Sequence, residues 1–159
     1  LAIKLVLLDI DGVLTDGKVT VDSDGNESKT IDFKDIDAVV ELRRRGFKVG
    51  LLTGESTPIT QYFKMRFKPD FFYNGCKDKA KAINEILKIT GSTVEEVCFV
   101  GDSKHDIEAI KMIKHSACPL NAIPVIKAIA SVKLKTRGGD GCILELLEWI
   151  IDKEKNQNG

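Results

Sequence analysis

Two carboxylates with one residue between them, Asp9 and Asp11, end a short apolar run beginning at Lys4, and Gly12 and Gly17 let the chain turn away from them. Acids at i and i+2 point the same way where strand geometry continues through them. Such a pair repels itself unless a bound cation, a partner ammonium or a raised pKa relieves it. Further along, Thr53-Gly54 and Gly101-Asp102-Ser103 each close another apolar run, and Lys79 opens an amphipathic stretch. Carboxylates without His or Cys suit a hard, oxygen-seeking cation, Mg²⁺ by default. The Thr53 hydroxyl, the Gly54 amide and the Lys79 ammonium are donors suited to phosphate oxygens. Brought together, these groups would hold a phosphate beside a metal.

The elements that would bring them together follow from periodicity. Leu5–Leu8, Phe47–Leu52, Asp70–Tyr73 and Val97–Val100 are short β-rich runs, with weaker strands at Ser116–Cys118 and Val132–Leu134. Between them lie helical patterns over Asp35–Arg45, to Phe67 from the Thr57-Pro58 start signal, Asp78–Ile89, Ser103–Ile113 and Val125–Ala130, with Cys142–Asp152 as the last. Strand and helix in alternation predict an α/β fold, a parallel sheet covered by helices on both faces. Ligands of such sheets bind outside the carboxyl ends of the strands, where Asp9, Thr53 and Asp102 fall and toward which the third strand leads Lys79. The helix opening at Thr57 would add a favourable dipole. Lys18–Ser23 and Glu27–Phe33 alternate around Asp24-Gly25-Asn26 and predict a hairpin flap over about residues 18–33, with Val19, Val21, Ile31 and Phe33 on one face. Residues 1–152 read as a single domain and 153–159 as a polar, fraying tail.

Composition narrows the function classes. Lys and Arg (24) balance Asp and Glu (24), so no bulk field recruits nucleic acid or an anionic membrane. The first apolar run is too short for a signal peptide or a membrane span. Four scattered cysteines without a C-x-x-C pair read as free thiols, which points to a cytoplasmic setting. His105 reads as an exposed helix residue and His115 as a surface or loop residue. Cys76 reads as a bystander, and Arg43–Arg45 as a solvated helix end.

With Asp9-Ile10-Asp11-Gly12-Val13, Leu52-Thr53-Gly54, Asp78-Lys79 and Gly101-Asp102-Ser103-Lys104-His105-Asp106 in this order, the chain resembles the haloacid dehalogenase superfamily of phosphohydrolases over essentially its whole length. The resemblance implies a Rossmann-like sheet and covalent catalysis. Asp9 attacks phosphorus to form an aspartyl-phosphate, and Asp11 protonates the leaving alkoxide and then serves as base for the hydrolytic water. Mg²⁺ is held by the Asp9 and Asp102 carboxylates and the Asp11 backbone carbonyl. Lys79 neutralises Asp9 and the phosphoryl group, and Thr53 and Gly54 bind the transferring oxygens. Asp106 acts from behind, on metal-bound water or on Lys79.

The segment between Asp9 and Asp35 is too short for a lid domain. With Asp11-Gly12-Val13-Leu14-Thr15-Asp16-Gly17, the flap, Lys34-Asp35 and the Gly138–Gly141 loop, the chain resembles the capless branch. That branch includes 3-deoxy-D-manno-octulosonate 8-phosphate phosphatases, 9-phosphate phosphatases of nine-carbon sialic-type sugars, and a module fused to some sialate cytidylyltransferases. This implies a phosphorylated sugar as substrate, a homotetramer joined through flaps, and a substrate role for the glycine loop. Three departures from the pattern involve four positions. Glu55 stands where octulosonate enzymes carry Arg, as in the nine-carbon branch, and suits sugar hydroxyls; Ile36 and Ala38 replace glycines; and Leu144 replaces an Arg of the tail. Two other classes compete: a receiver-type signalling domain, whose acidic pair precedes its phosphorylated Asp by a whole strand-helix unit, and a non-catalytic assembly module, which would have lost the acids retained here.

Overall fold

The apolar runs that end in Asp9, Thr53 and Asp102 lie side by side. In a computed structural model describing residues 2–158, β1 (Leu5–Leu8) is flanked by β4 (Lys48–Leu52) on one side and β6 (Val97–Val100) on the other, all parallel. Outward from β4 comes β5 (Phe71–Tyr73), and outward from β6 come β7 (His115–Cys118) and β8 (Val132–Lys133). The result is a six-stranded Rossmann-like sheet in the order β5-β4-β1-β6-β7-β8. Its central strands are apolar at nearly every position because both faces are covered.

Each face has its own core. On one, α1 (Phe33–Arg44), α2 (Pro58–Phe67) and α6 (Cys142–Asn158) bury Val39, Leu42, Phe63, Ile143 and Leu146 against Val6, Leu8 and Leu51. On the other, α3 (Lys79–Thr90), α4 (Ile107–Met112) and α5 (Pro124–Ile129) bury Ile83, Ile86, Ile110 and Ile126 against Leu5, Leu7 and Phe99. Odd and even residues of β1 therefore serve different cores, as the strand repeat of two requires.

Helix ends largely follow their local signals. Asp32 caps α1 through the Lys34 amide, Thr57 and Thr60 form a reciprocal capping box on α2, and Gly91 ends α3 with φ +69°. Ser103–Ile113 is not one α-helix: a 3₁₀ turn over Lys104–Asp106 leads into α4.

Several expectations are corrected. The flap strands, β2 (Thr20–Val21) and β3 (Glu27–Ser28), are only two residues each. A lone hairpin has no second layer to extend it. Val19 and Val21 are exposed, Ile31 packs on the core, and Phe33 belongs to α1 and is 70% exposed. Val40 on α1 is also exposed. Residues 153–158 are helical and continue α6, and Gly159 lies outside the described residues. His115 is no surface residue but is buried in β7 beside Trp149. Ile36 and Ala38 fill the core, and Leu144 packs against it.

Candidate active site

At the carboxyl ends of β1, β4 and β6 a cavity of about 520 Å³ opens, lined by Asp9, Asp11, Thr53, Gly54, Lys79 and Asp102 together with Glu55 at its rim. All eight sequence-derived site residues except Asp106 line it, and Asp106 lies directly behind. Strand geometry does not carry the acids there. β1 stops at Leu8, and the Ile10 carbonyl accepts N–H bonds from Val13, Leu14 and Thr15, winding the chain into a tight turn. Gly12 takes φ +84°, and a Cβ at this position would overlap the Asp102 carboxylate. The close approach of two chain segments requires glycine here.

Lys79 is the first residue of α3, where side chains lean toward the helix N-terminus and hence into the site. It is not a solvated helix lysine. Its side chain is 3% exposed, and its Nζ lies 3.0 Å from Asp9 Oδ1 and 2.6 Å from Asp106 Oδ1. Burial works against the ammonium, but the two carboxylates overcome it and hold the Lys79 pKa above the ordinary lysine value. Asp106 Oδ2 accepts the backbone N–H groups of Asp102 (2.8 Å) and Ser103 (3.1 Å). One fully buried carboxylate thus ties the loop bearing Asp102 to the helix bearing Lys79.

Asp9, Asp102 and Asp106 bring oxygens within 4.8 Å of one another. Asp106 is already saturated by Lys79 and two amides, whereas Asp102 Oδ1 is buried without any hydrogen-bond partner. Burial pushes Asp9 well above the usual carboxylate range despite Lys79, and pushes Asp102 up to about 6. An orphaned buried oxygen beside a desolvated carboxylate is the environment that a dication relieves. The all-oxygen donor set fits Mg²⁺, with Asp9 and Asp102 as its carboxylates.

The Thr53 backbone is clamped, its N–H donating to Tyr73 O and its carbonyl accepting from Cys76, both at 2.8 Å. Its buried hydroxyl accepts the Glu55 amide at 3.2 Å within the turn, and the Glu55 carbonyl accepts the Gly75 amide at 2.9 Å, which holds the turn against the Asn74–Cys76 loop. The first turn of α2 satisfies itself through its capping box, and the cavity lining ends at Glu55. The dipole expected from that helix is therefore not aimed at a bare N-terminus in the cavity. The Gly138–Gly141 loop also stays out of the lining. Gly139 donates to Val13 O at 3.1 Å, and Asn121 bridges Gly12 O and the Gly138 amide, so the loop buttresses the Asp11 turn from behind.

Sequence reasoning missed Lys29, whose ammonium lies 2.8 Å from Asp11 Oδ1, and Asp35, which accepts the amides of Gly141 and Ile143 at the start of α6. It also passed over Lys77, Ser103 and His105 as cavity-lining residues, although His105 is exposed, as expected. Only the lysine within the flap's alternating pattern could have flagged the first of these.

The fold, the four motifs and the acid-lined cavity define a class. The chain belongs to the haloacid dehalogenase-like hydrolases, whose family pattern matches residues 27–113, just over half of its length. Among individual proteins, it is 28% identical over 152 residues to the 3-deoxy-D-manno-octulosonate 8-phosphate phosphatase KdsC of Haemophilus influenzae, covering 96% of this chain and 84% of that one. The cobalt-bound structure of the H. influenzae phosphatase superposes with a TM-score of 0.88 at 29% identity, over 94% of this chain and 88% of that one. The corresponding phosphatase of Moraxella catarrhalis, in complex with magnesium, phosphate and KDO, gives 0.89 at 25% identity, over 94% and 86%. The enzyme is a phosphatase of this family, and Mg²⁺ is its cofactor. Among the described residues no helix is long and apolar enough to cross a membrane.

Proposed function

We propose that the chain hydrolyses the phosphomonoester of a phosphorylated sugar acid through an aspartyl-phosphate on Asp9. The observation that carries this reading is the pairing of Asp9 with Lys79 at 3.0 Å beside the unpartnered Asp102 oxygen, at the floor of an open cavity. Asp9 attacks phosphorus in line with the ester oxygen. The P–O bond to the sugar breaks as the carboxylate–phosphorus bond forms, and the proton carried by Asp11 passes to the leaving alkoxide. Asp11 then takes a proton from the water that hydrolyses the acyl phosphate. Lys79 neutralises charge between Asp9 and the phosphoryl oxygens, while the Thr53 hydroxyl and Gly54 amide donate to them. Asp9, Asp102 and the Asp11 carbonyl would hold Mg²⁺, which lessens the repulsion between an anionic nucleophile and an anionic phosphate. Asp106 keeps Lys79 and the Asp102 loop in place.

Octulosonate 8-phosphate is the first candidate substrate, supported by the relatives named above. A nine-carbon 9-phosphate is the second, supported by Glu55 at the cavity rim, whose carboxylate can accept hydrogen bonds from the hydroxyls of a longer polyol chain. We read residues 1–152 as one catalytic domain working in a homotetramer, which the exposed Val19 and Val21 of the flap support. The four free cysteines support a cytoplasmic setting.

The test is phosphate release from both sugar phosphates and an aryl phosphate, with Mg²⁺ and with chelator, for wild type and Asp9→Asn. Selective turnover of one sugar phosphate, lost with chelator and with the substitution, is expected. Turnover by folded Asp9→Asn at the wild-type rate would refute the covalent route.

A further inference from the structure

The flap has few attachments to the body of the domain. Both of its strands are exposed, and Val19 and Val21 face outward. One residue beyond β3 the pattern breaks. The Lys29 side chain is 7% exposed, and its Nζ reaches 2.8 Å from Asp11 Oδ1. An ammonium withdrawn from water is costly unless paired, and the partner found here is the carboxylate at the mouth of the cavity. Asp11 has little else to orient it. Its side chain is 32% exposed, and the Thr15 hydroxyl approaches no closer than 3.5 Å. Lys79 cannot serve in this role, because it is engaged by Asp9 and Asp106.

We propose that Lys29 is a positioning residue for proton transfer: the flap lysine fixes the Asp11 carboxylate and makes the seating of the flap a condition for protonating the leaving group. This rests on the reading of Asp11 given under Proposed function. The Lys29 ammonium can donate to Oδ1 whether Asp11 is a carboxylate or a carboxylic acid, so its role is to orient the group, leaving Oδ2 to carry the proton to the ester oxygen as the phosphorus–oxygen bond breaks. Lys29 itself exchanges no proton with substrate. The flap, which otherwise stands apart from the chemistry, is thereby coupled to it through a single ion pair.

Leaving-group dependence separates this role from a structural one. A sugar phosphate releases a basic alkoxide that needs a proton, whereas an aryl phosphate with an acidic phenol does not. The experiment measures kcat/KM on both esters for wild type, Lys29→Met, Lys29→Arg, Asp11→Asn and the Lys29→Met/Asp11→Asn double variant, with thermal melts to establish folding. Lys29→Met should lower kcat/KM on the sugar phosphate by roughly ten- to a hundredfold, a part of what a general acid contributes, with the aryl ester little changed. Lys29→Arg should restore most of the loss, and Lys29→Met should add nothing further once Asp11 is Asn. Equal losses on both esters, or wild-type behaviour of Lys29→Met while Asp11→Asn is selectively impaired, would overturn the proposal. Absence of leaving-group selectivity in Asp11→Asn itself would instead overturn the reading of Asp11 and the proposal with it.

Discussion

Replacing Asp106 by Asn changes one atom in a residue that no solvent reaches. The carboxylate accepts four hydrogen bonds, three short ones from Lys79 at 2.6 Å and the Asp102 and Ser103 amides at 2.8 and 3.1 Å, and a long one from the Ser103 hydroxyl at 3.5 Å. An Asn side chain offers one acceptor oxygen. Turned to the two amides, it directs its NH₂ at the ammonium; turned to the ammonium, it directs the NH₂ at the amides. Either way donors face donors. A buried hydrogen bond to a charged group contributes about 1.5–3 kcal/mol, and breaking a buried ion pair costs about 3–5 kcal/mol. Asp9 still pairs with Lys79 in the variant, so the lower part of that range applies, roughly 3 kcal/mol. At roughly 2–4 °C per kcal/mol for a domain of this size, the melting temperature should fall by about 6–12 °C. Because the Asp102 amide also loses its anchor, the Mg²⁺ concentration for half-maximal turnover should rise by roughly ten- to a hundredfold. Denaturant titration and Mg²⁺-dependent phosphate release measure the two effects. A loss below about 1 kcal/mol with unchanged Mg²⁺ dependence would refute the assignment of Asp106 as the tie between Lys79 and the Asp102 loop.

Gly12→Ala should reduce turnover more than tenfold, on the order of what a misplaced catalytic group loses, since the new methyl displaces the Asp102 carboxylate. Gly25→Ala, at an equally positive φ but with no neighbour within 4 Å, should cost only the backbone strain and leave turnover intact; wild-type turnover by Gly12→Ala would contradict this account. Asp35 is buried, and that burial pushes its pKa up to about 6 in spite of the Gly141 and Ile143 amides. Between about pH 4 and 6 the folded state therefore holds a proton that the unfolded chain has released, so this contribution to stability is lost as pH rises, by roughly 3 kcal/mol in all. Asp35→Asn removes the titration, and the stability gap between wild type and variant should narrow from pH 4 to pH 7 in urea titrations. A gap independent of pH would refute the assignment.

What local pattern determined is the succession of elements and where each strand ends. The β1, β4 and β6 runs are apolar at every position but the exposed Lys48 that opens β4, because buried parallel strands have no wet face, and strand ends in such a sheet point to one side, so Asp9, Thr53 and Asp102 could be placed together from spacing alone. The Thr57-Pro58 start and the Gly91 stop were equally local, since caps act within a turn. The tertiary structure alone decided which charges meet. Lys29 reaches Asp11 across 18 residues and Asp35 accepts the Ile143 amide across 108, while the contact of Lys79 with Asp106 across 27 is one of the two placements that the family resemblance left open. Alternation in the flap could single out Lys29, but no periodicity around these residues names the group that a charge will meet. The flap, too, looked like a long hairpin because alternation marks which residues could share a face, while strand length depends on having a layer to pack against. Burial and pairing of charge are properties of segments brought together, and they appear only once the chain has closed around its own acids.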